Sequence, residues 1–299
     1  MGTASLSGKI DPVVREISTS DVIEALAQGV RDFQAAPWYG ILLGGLSAIT
    51  GIAIVATLQI LGMPYLAYPI GAGFALVCPF VAAGLYEVSR RLQTGETLSA
   101  GEIWRKVKSR SEVRWMGFMT VFVLIMWMYQ VRLLMALFLG YSGMGASLHD
   151  FVNIVLTTTN GLLFLLVGNV IGAVLATILF SLSVVSFPLV LDRDVDCVTA
   201  MITSVRAVAM NPLPMLLFAV VIVALLVLSA LTGFLGLLVA LPVLGHATWH
   251  LYQRVVAPEP AQALQGAWPE HEARPAHQGI VTRAFATTEI EFARPEPPT

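Results

Sequence analysis

Long uninterrupted apolar segments constrain the fold of this chain more than any other feature. An apolar helix of about 20 residues is long enough to cross the roughly 30 Å hydrocarbon core of a bilayer. Only 12% of the residues are charged, against about 25% in soluble globular domains. We therefore predict an all-α integral membrane protein with six transmembrane helices, at about 38–61, 66–88, 115–139, 161–190, 213–231 and 234–253.

A stretch that precedes the first apolar segment recurs before the fifth. Residues 21–37 align without a gap with residues 196–212, and five of the seventeen positions are identical: Asp21/Asp196, Ala25/Ala200, Val30/Val205, Arg31/Arg206 and Pro37/Pro212. The first copy predicts an amphipathic helix that opens at Asp21 with Glu24 in a capping box. Its apolar face is expected to hold Val22, Leu26, Val30 and Phe33.

The recurrence predicts a repeated unit, in which a cytoplasmic amphipathic helix precedes each membrane hairpin. We expect three parallel hairpin repeats, at about 21–91, 98–191 and 196–254, within a membrane domain that covers 21–256. A polar tail (1–20) precedes this domain, and a proline-rich tail (257–299), predicted to be disordered, follows it. The stretch 151–191 is long enough for one span or two, and the sequence leaves that choice open.

The basic residues predict the orientation. With six spans, all of the 17 Lys and Arg residues except Arg132 fall on one side of the membrane. Basic residues are retained in the cytoplasm, so we expect both termini to be cytoplasmic and the protein to lie in the plasma membrane.

Each hairpin contains a proline in its second span: Pro79, Pro188 and Pro242. Aligning the hairpins on these prolines brings polar residues into register at the cytoplasmic ends of the second, fourth and sixth segments. If the repeats pack about one axis, carboxylates and imidazoles would meet there, and ionisable groups at this depth are candidates for a functional role. The candidate cluster contains Glu87, Arg90, Asp192, Asp194, Asp196, His246 and His250.

Each member of this candidate cluster also has a structural interpretation. His246 and His250, at i and i+4, share a helical face that suits a metal or haem, or they make ordinary hydrogen bonds at the interface. Asp194 or Asp196 suits the N-cap of the next helix, and Glu87 with Arg90 or Arg91 suits a surface ion pair. No recognisable metal-binding motif accompanies the histidines. We predict no metal, haem or other cofactor, with His246 and His250 as the weak candidates for one.

Several motifs resemble those of a family of bacterial integral membrane proteins of unknown function. They are Leu-Tyr-Glu-Val-Ser-Arg-Arg at 85–91, Ser-Phe-Pro-Leu-Val-Leu-Asp-Arg-Asp-Val-Asp at 186–196, Asn-Pro at 211–212, and Leu-Pro-Val-Leu-Gly-His-Ala-Thr-Trp-His-Leu-Tyr at 241–252. The resemblance covers roughly residues 15–256 and implies a multi-span bacterial membrane protein. Some members of that family are labelled as cytochrome c oxidase subunits, and the resemblance implies at most an accessory subunit or assembly factor.

Three functions are compatible with these features. The first is a non-catalytic scaffold or accessory protein, with a respiratory complex as one candidate for its partner. The sequence contains no recognisable set of catalytic residues, which favours this function over an enzyme. The second is a small-solute transporter or channel, and the third is a haem- or metal-binding protein that uses His246 and His250. The expected partners are the lipid bilayer and a membrane protein complex, with docking through the C-terminal tail as a further option. The formal net charge of −2 gives no indication of nucleic-acid binding.

Overall fold

The computed structural model describes residues 12–63, 66–140 and 148–258, and within these ranges the chain forms eleven α-helices. They are α1 (Thr19–Ala35), α2 (Pro37–Ile60), α3 (Ala67–Thr94), α4 (Ala100–Ser109), α5 (Ser111–Phe138), α6 (Leu148–Thr157), α7 (Thr159–Ser183), α8 (Ser186–Asp192), α9 (Cys197–Met210), α10 (Pro212–Leu231) and α11 (Leu237–Val255). The prediction of an all-α protein is confirmed for these residues. Residues 1–11 of the expected N-terminal tail and 259–299 of the expected disordered tail lie outside the described residues.

Four described helices are long and apolar enough to cross a membrane: α2, α5, α10 and the combined segment Thr159–Asp192, which contains α7 and α8. Most of their apolar surface faces outward, as expected for helices in contact with lipid. α6 has only ten residues, so the stretch 151–191 contains one candidate span. α3 and α11, which the prediction of six spans also requires, are not among the four.

Three short helices each lead into one of the candidate spans. α1 runs into α2 through Ala36 (φ −134°, ψ 57°), and α9 runs into α10 through Asn211 (φ −125°, ψ 54°). Proline occupies the first position of both spans, where its missing N–H is not needed. α4 meets α5 through the extended residue Arg110, without a proline. The two stretches that match in sequence therefore adopt nearly the same bend.

The start of α1 differs from the prediction. Ser18 is the N-cap and forms the capping box with Asp21, so the predicted start at Asp21 with Glu24 as its partner is wrong. The end of the expected tail is also held in place, because Val14 pairs with Val256 and the Ile17 N–H donates to the Asn211 side chain. These contacts fix residues 13–17 beside the end of α11.

α1 packs closely against α11 through small residues. Its buried positions are Val22, Ala25 and Gly29, whereas Val30, expected on the buried face, is 40% exposed. A Cβ atom at Gly29 would lie only 2.7 Å from both the Ala247 backbone nitrogen and the Val243 carbonyl oxygen. The absence of a side chain at Gly29 therefore allows the two backbones to approach, and this contact brings the next residue of the row, Asp32, to α11.

Candidate functional site: a buried polar network

A group of hydrogen-bonded polar side chains, buried at one end and exposed at the other, lies where α1, α3 and α11 meet. α11 contributes His246, His250 and Gln253, α3 contributes Ser89 and Gln93, and α1 contributes Asp32. Spacing by three or four residues places the members from each helix on one face. We refer to these six side chains, Asp32, Ser89, Gln93, His246, His250 and Gln253, as the Asp32 network.

Asp32 connects the three helices. Its Oδ2 atom accepts a hydrogen bond from Ser89 Oγ at 2.7 Å and lies 2.8 Å from His250 Nε2. Ser89 Oγ also lies 2.7 Å from His246 Nδ1. Ser89 and His246 are fully buried, and the side chains of His250 and Asp32 are only 7% and 15% exposed. A single carboxylate oxygen therefore ties α1 to both α3 and α11.

The network continues through two exposed glutamines toward the C-terminal end of α11. Gln93 Nε2 donates to Gln253 Oε1 at 2.8 Å and approaches His250 Nδ1 at 3.3 Å. Gln93 Oε1 accepts from Gln253 Nε2 and from the indole N–H of Trp249. Both polar atoms of the Gln93 amide thus have partners, and α3 is joined to α11 at a second level.

One assignment of protons satisfies most of these contacts. Because Ser89 donates its only hydroxyl proton to Asp32, His246 must donate to Ser89 from Nδ1. His250 donates to Asp32 from Nε2 and accepts from Gln93 at Nδ1, so both imidazoles can be neutral. These tautomers are assigned from the hydrogen-bond geometry. The remaining nitrogen, His246 Nε2, is buried without a hydrogen-bond partner among the described residues.

The environment of Asp32 favours its ionised form. Burial raises the pKa of this carboxyl, but the hydrogen bonds from His250 and Ser89 outweigh burial, so the pKa lies below its ordinary value. Asp32 therefore remains an acceptor at neutral pH, which the donor directions in the network require.

Glu87 and Arg90 belong to a separate ion-pair cluster on α3. Glu87 accepts from Arg90 at 2.8 Å and from Arg91 at 2.9 Å, and Arg91 also reaches Glu102 of α4 at 2.7 Å. The predicted pairing of Glu87 with Arg90 or Arg91 is confirmed for both arginines, but its expected surface location is wrong, because the Glu87 side chain is only 1% exposed. Removing one partner from such a buried pair leaves a charge uncompensated. The contact between Arg91 and Glu102 joins α4 to the end of α3.

The three aspartates of the expected cluster have different local roles. Asp192 accepts a 2.6 Å hydrogen bond from the buried Tyr252 hydroxyl. Asp196 is the N-cap of α9 and accepts from the Thr199 backbone N–H at 2.9 Å. The Asp194 side chain is 97% exposed and lies 3.7 Å from Arg110. In the described residues, no hydrogen bond or ion pair links these aspartates or Glu87 to His246 or His250.

The sequence therefore identified His246 and His250 but not their partners. Asp32, Ser89 and Gln93 were missed, although a signal for Asp32 was present. Positions 22, 25 and 29 are small or apolar and recur at helical spacing, and Asp32 is the next position of that row. A carboxylate that continues a buried face needs buried donors.

The histidines do not form a metal centre with other ligands in this structure. Among the described residues, no three His, Cys, Asp or Glu side chains are grouped so that they could hold a metal ion. Three of the four imidazole nitrogens in the network already contact protein side chains. That the protein binds no cofactor stays a prediction from the sequence.

A pocket of about 430 Å³ lies elsewhere, between α5, α6 and α7. Its lining is almost entirely apolar and includes Val131, Leu134, Met135, Val155, Phe164 and Leu165. No residue of the Asp32 network lines it. The pocket and the polar network are therefore separate features.

The comparison with known families covers the middle of the chain. Residues 67–192, which extend from α3 to α8, match a family described as "Predicted integral membrane protein (DUF2189)". No curated protein and no solved structure matches the chain. The match confirms the resemblance to a family of integral membrane proteins of unknown function, without support for the cytochrome c oxidase label. Over residues 67–192, the chain is therefore similar to this family of predicted integral membrane proteins.

Proposed function

We propose that this protein is a non-catalytic scaffold or accessory protein of the bacterial inner membrane. The observation that carries the proposal is the Asp32 network. Its side chains are directed toward one another across α1, α3 and α11, so they serve to hold helices together. A rigid cytoplasmic face of this kind suits a protein that positions a partner within a membrane complex.

The proposed topology has six spans, in three outward-pointing hairpins with both termini in the cytoplasm. Two observations support it: the bends at Ala36 and Asn211 are nearly the same, and a short helix precedes α2, α5 and α10 alike. α3 and α11 then act as the second spans of the first and third hairpins. A reporter fused after residue 258 tests the topology, because a periplasmic C-terminus would contradict it.

Affinity purification from native membranes, with mass spectrometry of the proteins recovered, tests the scaffold role. We expect a membrane protein partner in a fixed ratio to the tagged chain. The Asp32→Ala variant, compared at equal amounts in the membrane, should recover less of this partner because α1 is held less firmly against α3 and α11. The exposed Asp194→Ala variant serves as the matched control and should recover the wild-type amount.

Two results would count against the scaffold role. A chain that is purified alone from native membranes, with solute flux in reconstituted vesicles, would favour the transporter alternative. Recovery of a partner that is equal for wild type, Asp32→Ala and Asp194→Ala would separate the network from any scaffold function.

A further inference from the structure

The basic and aromatic surface of α4 and the start of α5 is a second feature, independent of the Asp32 network. Five basic residues lie within ten positions: Arg105, Lys106, Lys108, Arg110 and Arg114. Three large side chains on the same stretch are strongly exposed: Trp104 (68%), Trp115 (62%) and Phe118 (70%). We refer to these eight residues as the α4–α5 patch.

The acidic residues of the same stretch are turned toward the protein. Glu102 of α4 is held by Arg91 of α3 at 2.7 Å, and the Arg105 guanidinium lies 3.9 Å from its other oxygen. Glu112 of α5 accepts a hydrogen bond from the Cys197 backbone N–H at the start of α9. Asp194, 3.7 Å from Arg110, adds one further carboxylate beside the patch. Five cations against these three carboxylates leave the patch with a net positive charge.

The position of the patch identifies what it faces. α5 is one of the four candidate spans and begins at Ser111, directly after α4. The patch therefore lies at the water–lipid boundary, where tryptophan side chains are enriched. Clusters of four to eight Lys and Arg residues beside a transmembrane helix are attracted to anionic lipids.

We propose that the α4–α5 patch binds the headgroups of anionic phospholipids, with Trp104 and Trp115 inserted at the level of the glycerol backbone. Arg105 and Lys108 carry most of the headgroup contact, because both are exposed and are not engaged in a short ion pair. The sorting of charges on α4 makes the surface selective for anionic lipid over zwitterionic lipid. This inference does not depend on the scaffold role.

Quenching of tryptophan fluorescence by brominated lipid tests the proposal on the full chain. The protein is reconstituted into phosphatidylcholine vesicles that contain the same small fraction of brominated phosphatidylglycerol or brominated phosphatidylcholine. The difference between wild type and Trp104→Phe isolates the signal of Trp104. We expect brominated phosphatidylglycerol to quench Trp104 more strongly, and added salt to reduce this preference.

Two double variants with the same change of net charge sharpen the test. Arg105→Gln/Lys108→Gln should reduce the preference for phosphatidylglycerol by about fivefold or more, since each basic residue near the surface contributes about a fivefold preference. Arg31→Gln/Arg206→Gln removes two exposed charges from α1 and α9 and should leave the preference at Trp104 unchanged.

The proposal is overturned by any of three results. The first is equal quenching of wild-type Trp104 by the two brominated lipids. The second is a preference in Arg105→Gln/Lys108→Gln that is as strong as in wild type. The third is an equal loss in the Arg31→Gln/Arg206→Gln control, which would assign the effect to net charge and not to the patch.

Discussion

Replacing Asp32 by alanine tests directly whether the buried network holds α1 in place. The change removes the acceptor of two hydrogen bonds, from Ser89 at 2.7 Å and His250 at 2.8 Å. An unsatisfied buried donor costs about 1–3 kcal/mol. Ser89 can donate to His246 Nδ1 if the His246 proton moves to Nε2, so the cost arises mainly at His250. Part of that cost is offset because the buried carboxylate is no longer desolvated. We expect the free energy of unfolding to fall by about 1–3 kcal/mol.

A double-mutant cycle separates the Asp32–His250 interaction from other effects of the substitutions. The four proteins are wild type, Asp32→Ala, His250→Ala and the double variant. Residues that share a buried network have coupling energies of about 0.5–3 kcal/mol, and we expect a value above 1 kcal/mol here. Unfolding in mixed micelles of mild and denaturing detergent, followed by circular dichroism, supplies the free energies.

The exposed Asp194 provides the matched control for this cycle. Its side chain is 97% exposed, so Asp194→Ala should change the free energy of unfolding by less than about 0.5 kcal/mol. A coupling energy near zero for Asp32 and His250 would refute the reasoning. An Asp32→Ala variant as stable as Asp194→Ala would do the same.

Three further changes test other contacts. A Cβ atom at Gly44 would lie 2.6 Å from the Leu237 carbonyl oxygen, whereas Gly45 has open space. Gly44→Ala should therefore be less stable than Gly45→Ala by about 1–3 kcal/mol in the same unfolding assay. Tyr252→Phe removes the donor to Asp192 and should cost about 1 kcal/mol, while Tyr129→Phe, at an exposed position, should be neutral. The backbone and side-chain hydrogen bonds from Thr199 lower the pKa of Asp196. The stability that Asp196 contributes is therefore complete above its unfolded pKa of about 4 and is lost as the pH falls through the folded pKa. Asp196→Asn, which keeps the cap, should lose less thermal stability on acidification.

The helices of this protein were largely predictable from local pattern. The ends of α10 lie within two residues of the predicted segment 213–231, because Pro212 and the Thr232-Gly233 turn mark them in the sequence. Hydropathy alone did not find the break between α7 and α8, since Val184 and Val185 are as apolar as their neighbours. The N-cap of α1 was also not identified from the sequence, because Ser18 and Asp21 are both good capping residues.

The candidate site was less predictable, because its partners come from distant parts of the chain. Aligning the hairpins on their prolines placed Glu87, Asp192 and Asp196 beside the histidines. In the structure, Glu87 turns to arginines on its own helix, and Asp196 turns to the helix that it caps. The hydrogen-bond partners of these two carboxylates are therefore close to them in the sequence. On α1, no basic residue lies three or four positions from Asp32, and its carboxylate reaches across to α3 and α11.

The same contacts account for the polar residues at the C-terminal ends of α3 and α11. Both helices combine an apolar part with a polar end, where Ser89, His246 and His250 lie. α1 covers that end and supplies Asp32, so the polar atoms are buried by protein and do not face lipid. Polar groups at membrane depth are tolerated when protein surrounds and satisfies them. Without α1, Ser89 and His250 would lose the Asp32 acceptor that they share. We therefore expect α1 to be needed for the assembly of α3 with α11, beyond any contact that it makes with a partner.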